Sequence, residues 1–138
     1  LCVNIRPHPW RSLKTASSAR IIPLVGSAKW AAERIPAQPE RSEFAFPNYN
    51  DGHRTNANSA SAALNKWLKT KIGTEYTIHS FRHSMRDRLR AVECPSDVIN
   101  QIGGWLTQGV GASYGLGHNH RTLTRWLVDI VKDPNLKA

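Results

Sequence analysis

Acidic residues are what this chain is short of. Ten Asp and Glu stand against nineteen Lys and Arg over 138 residues, for a formal net charge of +9. The shortage is regional, because 1–32, 52–74 and 98–128 contain no acid at all. The first window carries Arg6, Arg11, Lys14, Arg20 and Lys29, and the second Arg54, Lys66, Lys69 and Lys71. Long acid-free stretches of this kind attract polyanions, and nucleic acid is the expected partner. Cysteine is also scarce. Cys2 and Cys94 make no disulfide framework, and neither has a second cysteine at metal-ligand spacing, which fits a reducing cytoplasm. No apolar run approaches the roughly eighteen residues of a membrane span, so no membrane contact is expected. No charged segment followed by an apolar core marks a signal peptide. There is no internal repeat and no low-complexity segment.

With 40% apolar residues and five tryptophans, the chain has the composition of one folded domain with a modest core. It opens at Leu1 on LCVNI, which already reads as a strand, so these residues are expected to be part of a longer protein. Strands are expected over 2–6, 10–14 and 20–24, broken by Pro7 and Pro9, with Lys14 at or near a hairpin turn and Pro23 marking an edge. A helix is expected from Ser27, with Pro36 near its end. A long loop follows over 36–58, with Phe44, Phe46 and Tyr49 expected to pin it to the core. The spacing of Ala60, Leu64, Trp67, Leu68 and Ile72 predicts an amphipathic helix over 59–72, stopped by Gly73. Thr77 is the expected N-cap of the next helix, whose buried stripe is Ile78, Phe81, Met85, Leu89 and Val92. His79, Arg82, Arg86 and Arg90 fall on its other face. Pro95 is expected to end that helix and start another, which Gly103 and Gly104 close. A glycine-containing loop over 106–111 and a short segment with Tyr114 come next. A final amphipathic helix is expected over 122–131, with Leu123, Trp126, Leu127, Ile130 and Val131 on one side. The fold class is therefore mainly α (α+β), helical with a small antiparallel β-hairpin sheet near the N-terminus.

The chemistry concentrates in 78–114. His79 and Arg82 are one helical turn apart and point to one side. A guanidinium is a planar fork of donors that matches two phosphate oxygens. An imidazole beside it donates to the same phosphate or moves a proton. Trp105 brings an indole N–H donor. Tyr114, nine residues after Trp105, brings a phenol that needs cationic neighbours to become a nucleophile. Taken singly, each has a structural reading: a surface histidine, a solvated arginine, a core tryptophan, a packing tyrosine.

The pattern HSFRH, then IGGW, then ASY resembles the tyrosine recombinase family, of the phage-integrase type. That family carries H-x-x-R, a later histidine or tryptophan, and a tyrosine nucleophile about nine residues on. His79, Arg82, Trp105 and Tyr114 match in order and spacing. LKTASSARIIPL also resembles the family's hairpin, which puts its lysine at Lys14. The likeness covers nearly the whole chain. It implies the catalytic domain of a site-specific DNA recombinase. Tyr114 would form a 3′-phosphotyrosyl link, Lys14 would be the general acid, and His79, Arg82 and Trp105 would hold the phosphate. The implied partners are double-stranded DNA, contacted also by Arg11 and Arg20, and other protomers in a tetramer on DNA. The implied setting is a bacterial or phage cytoplasm. No cofactor and no metal is implied, since cationic side chains can stabilise the charge. The family's first phosphate-binding arginine has no counterpart here and is expected upstream of Leu1. These 138 residues alone are therefore expected to cleave DNA poorly. Two other readings compete: a non-catalytic DNA-binding remnant and a type IB topoisomerase-like enzyme. A zinc site from His79 and His83 with His118 and His120 lacks the glutamate of the helical metal motif, where Ser80 stands instead.

Overall fold

The computed structural model describes residues 1–15, 18–35, 42–106 and 117–133. Tyr114, most of the expected glycine loop and the polar C-terminal tail lie outside them. Two strands, β1 (Cys2–Ile5) and β2 (Arg20–Pro23), pair antiparallel with Cys2 opposite Pro23 and Ile5 opposite Arg20. The helices follow as α1 (Gly26–Ala32), α2 (Ala57–Lys71), α3 (Ser80–Ala91), α4 (Ser96–Gly103) and α5 (His120–Lys132), with a 3-10 turn at Pro47–Tyr49. The architecture is mainly α with a small antiparallel sheet near the N-terminus, as the patterning indicates.

The core lies where α3, α4 and α5 meet. Leu89, Cys94, Val98, Ile99, Ile102, Leu123, Leu127 and Ile130 are buried there. Ile22 and Val25 cover one side of it, which holds the hairpin against α5 and α4. In α5 the apolar steps of four and three residues, Leu123 to Leu127 to Ile130, form one stripe. Each fully buried aliphatic side chain contributes about 1.5–3 kcal/mol. The α5 start is fixed by Asn119, whose side chain accepts from the Thr122 N–H at 3.0 Å.

Several expectations change. No strand forms over 10–14. The His8 N–H donates to the Arg11 carbonyl and the Arg11 N–H to the His8 carbonyl, at 2.9 and 3.0 Å. These bonds close a tight turn with Pro9 in its second position, so Pro9 shapes a turn instead of only breaking a strand. Thr77 does not cap α3. The helix begins at Ser80 with His79 as N-cap residue, and the Thr77 N–H donates to Ser80 Oγ at 3.1 Å. Phe81 does not join the buried stripe and is 57% exposed, whereas Leu89 is fully buried. Phe46 is exposed and pins nothing, while Phe44 meets Trp10 edge-on. On α2 only Leu68 is buried, and Leu64, Trp67 and Ile72 face outward. The Asn65 side chain ties α2 to the next helix, accepting from the Ile78 N–H at 2.7 Å.

The end of α3 also differs from the reading that Pro95 stops it. The Cys94 N–H donates to the Leu89 carbonyl and the Glu93 N–H to the Arg90 carbonyl. Glu93 adopts a left-handed φ of 58°. This is a Schellman stop with a glutamate where glycine is usual. Pro95 then serves only as the N-cap of α4. Among the described residues, no helix is long and apolar enough to cross a membrane.

Candidate functional site

The Gly-Gly-Trp sequence at the end of α4 organises the site. Gly104 has φ 65°, the left-handed conformation that ends the helix. Its N–H side of the turn is followed by the Trp105 N–H donating to the Asn100 carbonyl at 3.0 Å, which turns the chain back over α4. The Trp105 indole thereby lies directly on Gly103, where any Cβ would overlap ring atoms Cζ3 and Cε3. Gly104 is enclosed as well, since a Cβ there would strike the Arg20 guanidinium. Gly103 is needed for space and Gly104 for its φ.

Two arginines of α3 also lie against the indole. The Arg82 Cζ is 4.3 Å from the ring centroid and the Arg86 Cζ is 5.1 Å from it. They are four residues apart, on one face of the helix. Arg20 approaches from β2. Its Nε donates to the Ile102 carbonyl at 2.9 Å and its Nη1 to the Ser18 carbonyl at 2.7 Å. Burial, and then the neighbouring Arg82 charge, depress the Arg20 pKa below its ordinary value. Arginine stays protonated in proteins, so Arg82 and Arg86 bring two cations to the indole and Arg20 sets a third charge near Arg82. Neither Arg82 nor Arg86 pairs with a carboxylate among the described residues. Arg82 and Trp105 line a groove of about 660 Å³. Its floor is apolar, with Ile22, Met85 and Leu127, and Arg88 contributes a further cation.

The expected site residues thus divide. Arg82, Trp105 and Arg20 are brought together. His79 is exposed at the N-terminus of α3, its ring edge-on to His83 at 5.1 Å, with no ring contact to Trp105. Lys14 is exposed in the connection between β1 and β2 and lines no groove with Arg82. Arg11 belongs to a second groove, of about 440 Å³, with Arg6, Trp10 and Phe44. Tyr114 lies outside the described residues. Two of the Arg20 donors are given to protein carbonyls, so this side chain also ties β2 to the end of α4. Arg86 is the site residue the sequence reading passed over. It was visible there as a member of the basic face of α3, but nothing in the sequence indicated that Trp105 would stack on it.

The segment after Trp105 is anchored where it rejoins the fold. The Gln101 amide grips His118 on both sides, its Nε2 donating to the His118 carbonyl at 2.9 Å and its Oε1 accepting from the His118 N–H at 2.7 Å. His118 Nε2 meets Asp97 Oδ2 at 2.8 Å, and this hydrogen bond holds the Asp97 carboxyl below its usual pKa. Both ends of 105–118 are therefore bonded to α4, at Asn100 and Gln101. The four histidines of the alternative zinc reading are dispersed in contact terms: His79 with His83, His118 on Asp97, and His120 beside Cys2. Among the described residues, no three of His, Cys, Asp and Glu are placed to hold a metal.

Comparison with family models, with curated proteins and with solved structures finds no match to this chain.

Proposed function

We propose that this chain is the C-terminal part of a tyrosine recombinase catalytic domain, which breaks and rejoins duplex DNA at specific sites. The observation that supports it best is the placement of Arg82 over Trp105 with no carboxylate paired to it among the described residues, in a groove that Arg20 and Arg88 also line. A guanidinium left unneutralised on a rigid aromatic surface is a receptor for a phosphodiester.

In this reading the Tyr114 hydroxyl attacks the DNA phosphorus. A bond forms between phosphorus and the tyrosine oxygen, and the bond to the 5′ oxygen breaks. Lys14 supplies the proton to the departing 5′-hydroxyl, and His79 assists with the tyrosine proton or holds the phosphate. Arg82 and the Trp105 indole N–H stabilise charge on the equatorial oxygens. Loss of one such donor typically costs roughly two to three orders of magnitude in rate. The Gln101 bonds to His118 fix where the chain returns to α4 after Tyr114. Protomers would assemble as a tetramer on two duplexes.

The test is a nicked duplex that traps a covalent 3′-phosphotyrosyl adduct, run with the protein as its gene encodes it. An adduct is expected that vanishes in Tyr114→Phe and falls at least a hundredfold in Arg82→Ala. A non-catalytic DNA-binding module is the second reading, favoured by the exposed position of Lys14, outside the lining of the groove that holds Arg82. Salt-sensitive DNA binding with no adduct would decide for it.

A further inference from the structure

The sequence pattern assigns one arginine of α3 to a phosphate, but the structure places two on the same indole. We propose that Arg86 is an anion-binding residue that works with Arg82, the two guanidiniums using Trp105 as a common platform to hold one phosphate group. This inference rests on the recombinase reading only for the source of the anion, a DNA phosphodiester, and not for the seat itself.

Four observations carry it. Arg82 and Arg86 lie 4.3 and 5.1 Å from one ring centroid. Two like charges this close to one ring repel each other unless an anion joins them. The single acid of α3, Asp87, is turned to Arg90 at 3.5 Å and neutralises neither. The Arg86 Nε–H is buried and has no hydrogen-bond partner among the described residues. A buried donor without an acceptor is a standing cost, and natural structures keep such groups mainly where a ligand completes them. Finally, the platform cannot easily swing away, because Trp105 is laid on Gly103 and its backbone N–H is bonded to the Asn100 carbonyl. An oxyanion with several acceptors fits two forks of donors; a spherical halide does not. Arg125 provides an internal contrast. It also stacks on a tryptophan, at 4.9 Å from Trp126, but on exposed α5 surface and without a second arginine.

The experiment follows the Trp105 indole N–H in proton–nitrogen spectra, assigned through Trp105→Phe, as inorganic phosphate is added. The wild-type signal is expected to shift saturably. Arg86→Met keeps the aliphatic stem on the ring and is expected to weaken phosphate at least tenfold. Its melting temperature without phosphate should be equal or higher, because a repelling and unsatisfied group has been removed. Arg86→Lys should bind between the two, and Arg125→Met should match wild type. An indole that ignores phosphate, or Arg86→Met binding within twofold of wild type, would overturn the proposal. So would an Arg86→Met protein that is less stable but binds normally, since that is the mark of a packing role. A duplex oligonucleotide that moves the same signal at far lower concentration than phosphate identifies DNA as the source. Phosphate binding that needs Arg86, with no DNA response and no tyrosyl adduct, would leave the anion seat standing and refute the recombinase reading.

Discussion

Replacing Gly103 by alanine tests the construction of the site. A Cβ at this position has no room, because the Trp105 ring occupies the space. The helix backbone is held by the buried neighbours Val98, Ile99 and Ile102, so the indole must be the part that moves. Displacing a half-buried tryptophan exposes about 100 Å² of apolar surface, worth about 2.5 kcal/mol. Two stacked guanidiniums lose about 0.5–1 kcal/mol each. Alanine returns about 1 kcal/mol through better helix propensity. The net expectation is a loss of about 2.5–3.5 kcal/mol, or roughly 8–14 °C in melting temperature for a domain of this size. Urea unfolding and the Trp105 indole resonance measure it. The decisive control is the same change in a Trp105→Ala background, where the overlap is gone. There Gly103→Ala should be neutral or stabilising by up to about 1 kcal/mol. A Gly103→Ala protein as stable as wild type with an unmoved indole resonance would refute the reasoning. So would an equal loss in both backgrounds.

Glu93 holds a left-handed φ, so Glu93→Gly should stabilise by about 0.5–1 kcal/mol despite its greater unfolded entropy, as read by urea midpoint. Burial, reinforced by Asp97 and Asp129, raises the Cys94 thiol to about 11. At pH 8 a thiol reagent should therefore modify exposed Cys2 and leave Cys94 until the chain unfolds. A raised thiol pKa leaves stability intact below the unfolded value of about 8.5, and stability falls as pH rises from there toward about 11. Gln101→Ala removes both hydrogen bonds to His118 and should cost about 1–3 kcal/mol, with faster amide exchange at His118 as the local readout. Leu89→Ala, at a fully buried position, should cost about 2–5 kcal/mol in the same unfolding assay.

Much of the fold is legible in one dimension because helical periodicity reports which side is buried. The α5 stripe and the α4 stripe follow from it directly. The limits appear where a residue type has two uses. Pro9 breaks a strand in a pattern reading but shapes a two-bond turn once His8 and Arg11 close around it. Phe81, Leu64 and Trp67 sit at helical spacing yet stay exposed, since spacing names a face and not the element that covers it. The stop of α3 was hidden because a left-handed glutamate carries no composition signal.

For the site, the amino-acid order by itself determined the chemistry on offer: a run of cations without acids, an H-x-x-R helix, two glycines before a tryptophan, and a tyrosine nine residues on. Covalent spacing along a helix fixes which side chains share a face, so Arg82 and Arg86 were already neighbours. Only the tertiary structure decided that Trp105 folds back over Gly103 to meet them, and that Arg20 crosses from β2 to the end of α4. Those contacts join elements far apart in sequence. They depend on steric room and on hydrogen bonds to particular carbonyls, quantities that exist only once the helices have packed.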